Sequence, residues 1–241
     1  MYRLKTRVCA SHTDARGRLK LVSAIDMMQD CSQMWWESEP KAEKFFKESN
    51  IAQMLVFRQA GIRRVPIYGE KLCTETRVWE MKPFMGYRNT VIYDEAGEPC
   101  IESWSIGVFV NLETGRPEKL PPEVLGSMKI DPRLEMEYLS KKIALPPCSA
   151  EKLPPVKVSR GDIDFNRHMN NARYVQTALE LLPPGFEITR FRIEYKMPAK
   201  YGDLLYPEII SGGGNQYIVL NNVEENLKPW AIMEFCGEEK P

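Results

Sequence analysis

Histidine is scarce in this chain. There are two in 241 residues, and the six cysteines (Cys9, Cys31, Cys73, Cys100, Cys148 and Cys236) include no close pair. A structural metal site needs clustered ligands, often Cys-x-x-Cys, so no metal is expected. No apolar run approaches the roughly 18 residues of a membrane span. No signal peptide opens the sequence, and a chain this long folds without disulfides, so a reduced, cytoplasmic protein is expected. Neither sign of charge dominates: 33 basic residues balance 33 acidic ones. Without a basic tail or stripe, nucleic acid is a poor candidate partner.

What is present is a pattern read twice. Residues 2–10 alternate as an entering strand, and residues 23–39 carry Ile25, Met28, Cys31, Ser32, Trp35 and Trp36 on one helical face, with Ser23 or Asp26 as cap. Pro40 ends that helix, and residues 41–49 form a short helix or lid. Strands follow at 54–58, 71–80, 87–93 and 100–111, with a hairpin turn at 94–98. Residues 112–155 are rich in proline and charge and read as a connection between two cores. The second half then runs strand 156–159, helix from Asn170 or Asn171, and strands 188–195, 204–210, 216–221 and 229–236. Tyr174, Val175, Ala178, Leu179 and Leu182 form the second helix's apolar face. Each half is an α+β unit, a helix laid on an antiparallel sheet.

The halves align at two places. Asp14-Ala-Arg-Gly-Arg18 matches Asp164-Phe-Asn-Arg-His168, and Ile67-Tyr68-Gly69-Glu70-Lys71-Leu72 matches Lys200-Tyr201-Gly202-Asp203-Leu204-Leu205. Shared order favours an internal duplication. The copies differ where chemistry is at stake: Asn166 and His168 stand where the first has Arg16 and Arg18. One active site, in the second half, is the economical reading. Asp162 and His12 read as a turn brace and a surface residue.

The stretch Asp164-Phe-Asn166-Arg-His168-Met-Asn170-Asn171-Ala-Arg-Tyr174 resembles the Asp-x-Asn-x-His-Val-Asn-Asn-x-x-Tyr motif of acyl-acyl carrier protein thioesterases. Gly86-Tyr87-Arg88, the strand from Glu102 to Asn111, Thr114-Gly-Arg-Pro117, Leu120-Pro-Pro-Glu-Val124 and Ile193-Glu-Tyr-Lys196 extend the resemblance over residues 2–236. It implies two tandem hotdog domains: residues 1–125 shaping the acyl pocket, a linker at 126–155, and a catalytic domain at 156–241. It implies hydrolysis of fatty acyl-acyl carrier protein, with Asp164, Asn166 and His168 catalytic, no cofactor, and the carrier protein as partner. The chain is expected as a monomer or homodimer.

By this resemblance Asn166 positions the carbonyl or water, and His168 holds the thioester or assists proton transfer. Asp164 orients its neighbours or acts as base, and helix-start N–H groups near Asn171 and Ala172 can steady negative charge. One departure bears on the base. The plant-type members carry Glu and Cys where this chain has Pro198 and Ala199. Glu194 and Glu180 are nearby carboxylates, structural or catalytic. Met27, Met28, Cys31, Met34, Trp35 and Trp36 either line an acyl tunnel or fill a core. A docking face for an acidic carrier needs cations, and Arg63, Arg64, Arg167, Arg173, Lys196 and Lys200 are candidates. Competing readings are an acyl-CoA thioesterase on the same fold, a hydratase, and a hotdog protein that binds acyl groups without hydrolysing them.

Overall fold

The structure is a computed structural model that describes residues 1–223 and 228–239. Residues 224–227, 240 and 241 of the expected second domain lie outside the described residues. The chain divides into two compact units, residues 1–56 with 62–138, and residues 57–61 with 139 onward. Among the described residues no helix is long and apolar enough to cross a membrane.

The first unit holds strand β1 (Tyr2–Arg7), helices α1 (Leu21–Met34) and α2 (Pro40–Glu48), strands β2 (Ile51–Ile62, except its residues 57–61), β3 (Lys71–Lys82), β4 (Met85–Tyr93) and β5 (Pro99–Asn111), and the short helix α3 (Pro122–Leu125). Strands β1, β3, β4 and β5 are neighbours in that order and antiparallel. Helix α1 lies on β1, β3 and β4, burying Val22, Ile25, Met27, Met28 and Cys31. That is the apolar stripe a helix presents to a sheet.

Helix α1 starts earlier than its composition implies. Neither Ser23 nor Asp26 caps it; the N-cap is Lys20, without a side-chain hydrogen bond. The preceding turn supplies the missing organisation, because the Lys20 N–H donates to the His12 carbonyl at 2.9 Å. Beyond α1 the tryptophans are core. Trp35 is fully buried in a cluster with Phe46, Val78 and Phe109, and Trp36 meets the Phe46 ring at 4.5 Å. Arg88 lies inside the same unit, 4.6 Å over Trp35, and donates to the Ser32 carbonyl and to Thr76 Oγ1. A cation over an indole face replaces part of its lost hydration.

The proline-rich connection is not free chain. Its orphaned backbone N–H groups are taken by acceptors from the strands and from Glu39, the residue before α2. In the first unit Lys129 N–H donates to the Glu39 carboxylate at 3.3 Å, and Leu134 N–H to Asn89 Oδ1 at 3.2 Å. In the second, Leu139 N–H donates to Gln59 Oε1 at 3.0 Å, and Ile143 N–H to Glu194 Oε1 at 2.7 Å. All four acceptor residues are buried. A buried acceptor must be satisfied, and irregular backbone is what satisfies these. Residues 126–155, expected as a linker, therefore divide between the units.

Strand β2 is longer than the expected 54–58. Its polar positions Gln53, Arg58 and Gln59 interrupt the apolar run that marks a strand, and Gln59 is one of the connection's acceptors.

The second unit contains strands β6 (Glu151–Lys152) and β7 (Val156–Lys157), helix α4 (Asn171–Leu179), and strands β8 (Phe186–Tyr195), β9 (Leu204–Gly212), β10 (Asn215–Asn221) and β11 (Ala231–Glu239). The order is residues 57–61 of β2, then β8, β11, β10, β9 and β6. Pro183-Pro184 stops α4 before Leu182, since neither residue supplies a helical N–H. Its buried face is Ala172, Tyr174, Val175 and Ala178, which packs toward β11.

Strand β11 slips register between Cys236 and Gly237. A Cβ at Gly237 would stand 2.1 Å from the Glu187 carbonyl oxygen. Backbone cannot yield as a flexible side chain does. Gly237→Ala is therefore expected to cost about 1–3 kcal/mol in a denaturant titration; an unchanged midpoint would mean that the bulge reshapes freely.

Candidate active site

The turn carrying Asp164, Asn166 and His168 is built from local hydrogen bonds. A 3-10 turn, Arg160–Asp162, enters it, closed by Asp162 Oδ2 accepting from Ser159 N–H at 2.7 Å. Ile163 and Met169 then pair across a short hairpin. Asp164 N–H donates to the His168 carbonyl and Arg167 N–H to the Asp164 carbonyl, both at 2.9 Å. Asp164 Oδ1 accepts from Asn166 N–H at 2.8 Å, an Asx turn.

The first unit repeats this almost bond for bond. Thr13 pairs with Leu19, Asp14 N–H donates to the Arg18 carbonyl at 2.8 Å, and Asp14 Oδ1 accepts from Arg16 N–H at 2.8 Å. His12 Nδ1 accepts from Cys9 N–H at 3.1 Å, standing where Asp162 stands. His12 is thus a turn acceptor. The two copies make the same backbone bonds with different side chains at the places of 166 and 168, and in the first copy the Arg18 Nε also donates to Asp14 Oδ2 at 3.2 Å.

One residue costs the second copy something. Arg167 adopts φ +63°, where the first copy has Gly17 at φ +72°. The left-handed region suits glycine and strains other residues by about 1 kcal/mol.

Two tyrosines hold this turn and the start of α4 to the end of β8 and the loop that follows it. Met169 N–H donates to the Ala199 carbonyl at 2.7 Å. The Tyr174 hydroxyl accepts from Ala199 N–H at 2.8 Å and donates to the Met197 carbonyl at 3.4 Å. The Tyr195 hydroxyl donates to the Asn171 carbonyl at 3.0 Å, and the two rings meet edge to face at 5.6 Å. Burial pushes the Tyr174 phenol up to about 12, so it stays protonated at neutral pH.

Removing the hydroxyl by Tyr174→Phe strands the buried Ala199 N–H. The expected loss is about 1–3 kcal/mol of stability, read by denaturant titration. An unchanged midpoint would show that water replaces the hydroxyl.

The carboxylates divide by occupation. Glu194 is buried and committed twice, to Ile143 N–H and to the Lys196 ammonium. Glu194→Gln keeps the acceptor for Ile143, so hydrolysis is expected to hold within about threefold; a large loss of kcat would return Glu194 to the chemistry. Ala199 is fully buried with both backbone groups bonded. At helix α4, Asn170 is the N-cap, and its Oδ1 takes the Ala172 N–H at 2.8 Å. That N–H, expected as an anion donor, is therefore spent on capping.

His168 differs from all of these. Its Nδ1 is buried, and no described protein group hydrogen-bonds it. Buried polar atoms in that state are rare, and an imidazole nitrogen so placed can accept or donate a proton. Among the described residues no three of His, Cys, Asp and Glu are grouped as metal ligands.

A family model for the acyl-ACP thioesterase N-terminal domain matches residues 1–128, and one for the acyl-ACP thioesterase C-terminal domain matches residues 147–228. The chain belongs to the acyl-ACP thioesterase family. Among curated proteins it is 28% identical over 169 residues to a dodecanoyl-[acyl-carrier-protein] hydrolase of Cinnamomum camphora, covering 65% of this chain and 44% of that protein. It is 28% identical over 160 residues to a palmitoyl-acyl carrier protein thioesterase of Gossypium hirsutum, covering 62% and 38%. The match thus spans less than half the length of these relatives.

Among solved structures, an acyl-ACP thioesterase from Bacteroides thetaiotaomicron superposes with a TM-score of 0.85 at 20% identity, over 98% of this chain and 97% of that one. The 12:0-ACP thioesterase from Umbellularia californica gives 0.81 at 17% identity, over 99% and 97%. These likenesses show the fold, a double hotdog.

Within this thioesterase fold, the parts that composition did not reveal are the braces. By sequence Tyr174 falls in the motif and on the apolar helical face, and neither its hydroxyl nor that of Tyr195 declares itself as a brace. A tyrosine in an apolar helical face is the one signal available, since a buried hydroxyl needs a partner.

Proposed function

We propose that this protein hydrolyses thioesters joining fatty acyl chains to the phosphopantetheine arm of acyl carrier protein, releasing the fatty acid and the thiol-bearing carrier. One observation carries the reading. Two turns share the same backbone and Asx-turn bonds, and only the second bears an amide and an imidazole where the first bears two arginines. Upkeep of the fold does not require Asn166 and His168; hydrolysis does.

The chemistry needs an attacking water, a polarised carbonyl and a proton for the leaving sulfur. His168 takes a proton from water as the oxygen attacks the acyl carbon. The C–S bond breaks, and the imidazolium returns that proton to the departing thiolate. The Asn166 amide donates to the carbonyl oxygen as negative charge gathers there. Asp164 is a positioning residue: its carboxylate holds the Asn166 backbone and with it the direction of the amide. Tyr174 and Tyr195 keep the turn and the start of α4 fixed, so that the constellation is built before substrate arrives.

The deciding experiment is thiol release from two matched series, each of short to long acyl chains, one on acyl carrier protein and one on CoA. Faster release from the carrier series, peaked at some chain length, is the expected result. Preference for CoA would make the protein an acyl-CoA thioesterase on this fold. Acyl binding with no release from either series would sink the hydrolase reading.

A further inference from the structure

Five exposed side chains around the 164–168 turn have no place in the chemistry above. Phe165, at the tip, is 81% exposed, and Tyr201 is 55% exposed. The Arg160 guanidinium stands 5.5 Å from the centre of the Tyr201 ring. Arg167 and Lys200 are exposed as well. The Met169–Ala199 hydrogen bond keeps the turn beside the loop that carries Lys200 and Tyr201.

We infer that this rim is the docking surface for the acidic carrier protein, with Arg160, Arg167 and Lys200 as its charged contacts and Phe165 and Tyr201 as its apolar ones. The inference rests on the carrier-thioester reading above. Two observations carry it. The neighbouring acids each bond turn backbone: Asp162 accepts from Ser159 N–H at 2.7 Å, Asp164 from Asn166 N–H at 2.8 Å, and Asp203 from Lys200 N–H at 2.8 Å. Their oxygens serve the turns while the cations stay outside, so an arriving partner meets positive charge around two aromatic rings. That pairing suits a negatively charged protein surface. The second observation is Arg167 itself. The matching turn shows that glycine serves this backbone at φ +72°, yet arginine is held at φ +63°. A strained residue where a relaxed one fits is evidence that its side chain is used.

The other candidate cations are engaged elsewhere. Arg63 pairs with Glu102 at 2.8 Å, Arg64 with Glu70 at 2.8 Å, and Lys196 with Glu194, and Arg173 donates to Gln176 Oε1.

The test compares kcat/KM on an acyl carrier protein thioester with kcat/KM on the same acyl group carried by free pantetheine, at low and high salt. The variants are Arg160→Glu with Lys200→Glu, and Arg167→Gly alone. In the double variant the carrier-to-pantetheine ratio is expected to fall about tenfold or more at low salt, with the gap closing as salt screens the charges. Arg167→Gly is expected to lower the ratio while holding or raising the melting temperature. An unchanged ratio, or equal loss on both substrates, would overturn the inference. So would sedimentation showing that the same substitutions dissolve a dimer without altering the ratio. Should the wild type hydrolyse neither substrate, the hydrolase reading fails by itself. Docking is then read from the anisotropy of labelled holo-carrier protein: weaker binding by the double variant upholds it, and equal binding, or none by the wild type, overturns it.

Discussion

Replacing His168 or Asn166 with alanine is expected to lower kcat for thioester hydrolysis by about a hundred- to ten-thousand-fold, the range for losing a positioned proton carrier or a carbonyl donor. The fold should scarcely notice, with a stability change within about 0.5 kcal/mol. The reason is the duplicate turn. Arg16 and Arg18 occupy the equivalent places, and that turn makes the same backbone bonds. Single-turnover thiol release and thermal melting of each variant test both halves of the expectation. Activity kept in either variant would remove that residue from the chemistry. A collapse in melting temperature would mean that the side chains hold the turn after all.

Asp164 separates two roles that one carboxylate can fill. Asp164→Ala removes the acceptor for the Asn166 N–H, so the turn loosens and the amide loses its direction. A stability loss of about 1 kcal/mol and a fall in kcat of about a hundredfold are expected. Asp164→Asn keeps an acceptor oxygen and discards the charge. If Asp164 positions its neighbours, this variant retains activity within about tenfold and melts near the wild type. If the charge itself draws the proton, asparagine and alanine fail alike. Steady-state kinetics on the two variants, with a pH profile for asparagine, decide between these outcomes.

Much of the architecture is local and was legible before any coordinates. The helices and most strands declare themselves by their period, and the repeat could be aligned from a few turn residues, because a turn of this kind needs Asp14 or Asp164 at one place. The start of α1 was misjudged because its organiser, the His12 carbonyl, is a backbone group without a letter of its own. Strand β2 was read short because Gln53, Arg58 and Gln59 look like surface until the acceptor role of Gln59 is seen.

At the site, the sequence by itself named the residues proposed to carry the chemistry. Asn166 and His168 follow from the motif and from their contrast with two arginines, and both belong to one short turn shaped by its own bonds. The tertiary structure alone decided which polar groups remain available for it. Glu194, a candidate base by sequence, has one oxygen held by Ile143, 51 positions away. The Ala172 N–H was a candidate donor until Asn170 took it. The physical reason is that every buried donor and acceptor must be matched, and the partner is set by where distant backbone comes to rest, which no residue type encodes.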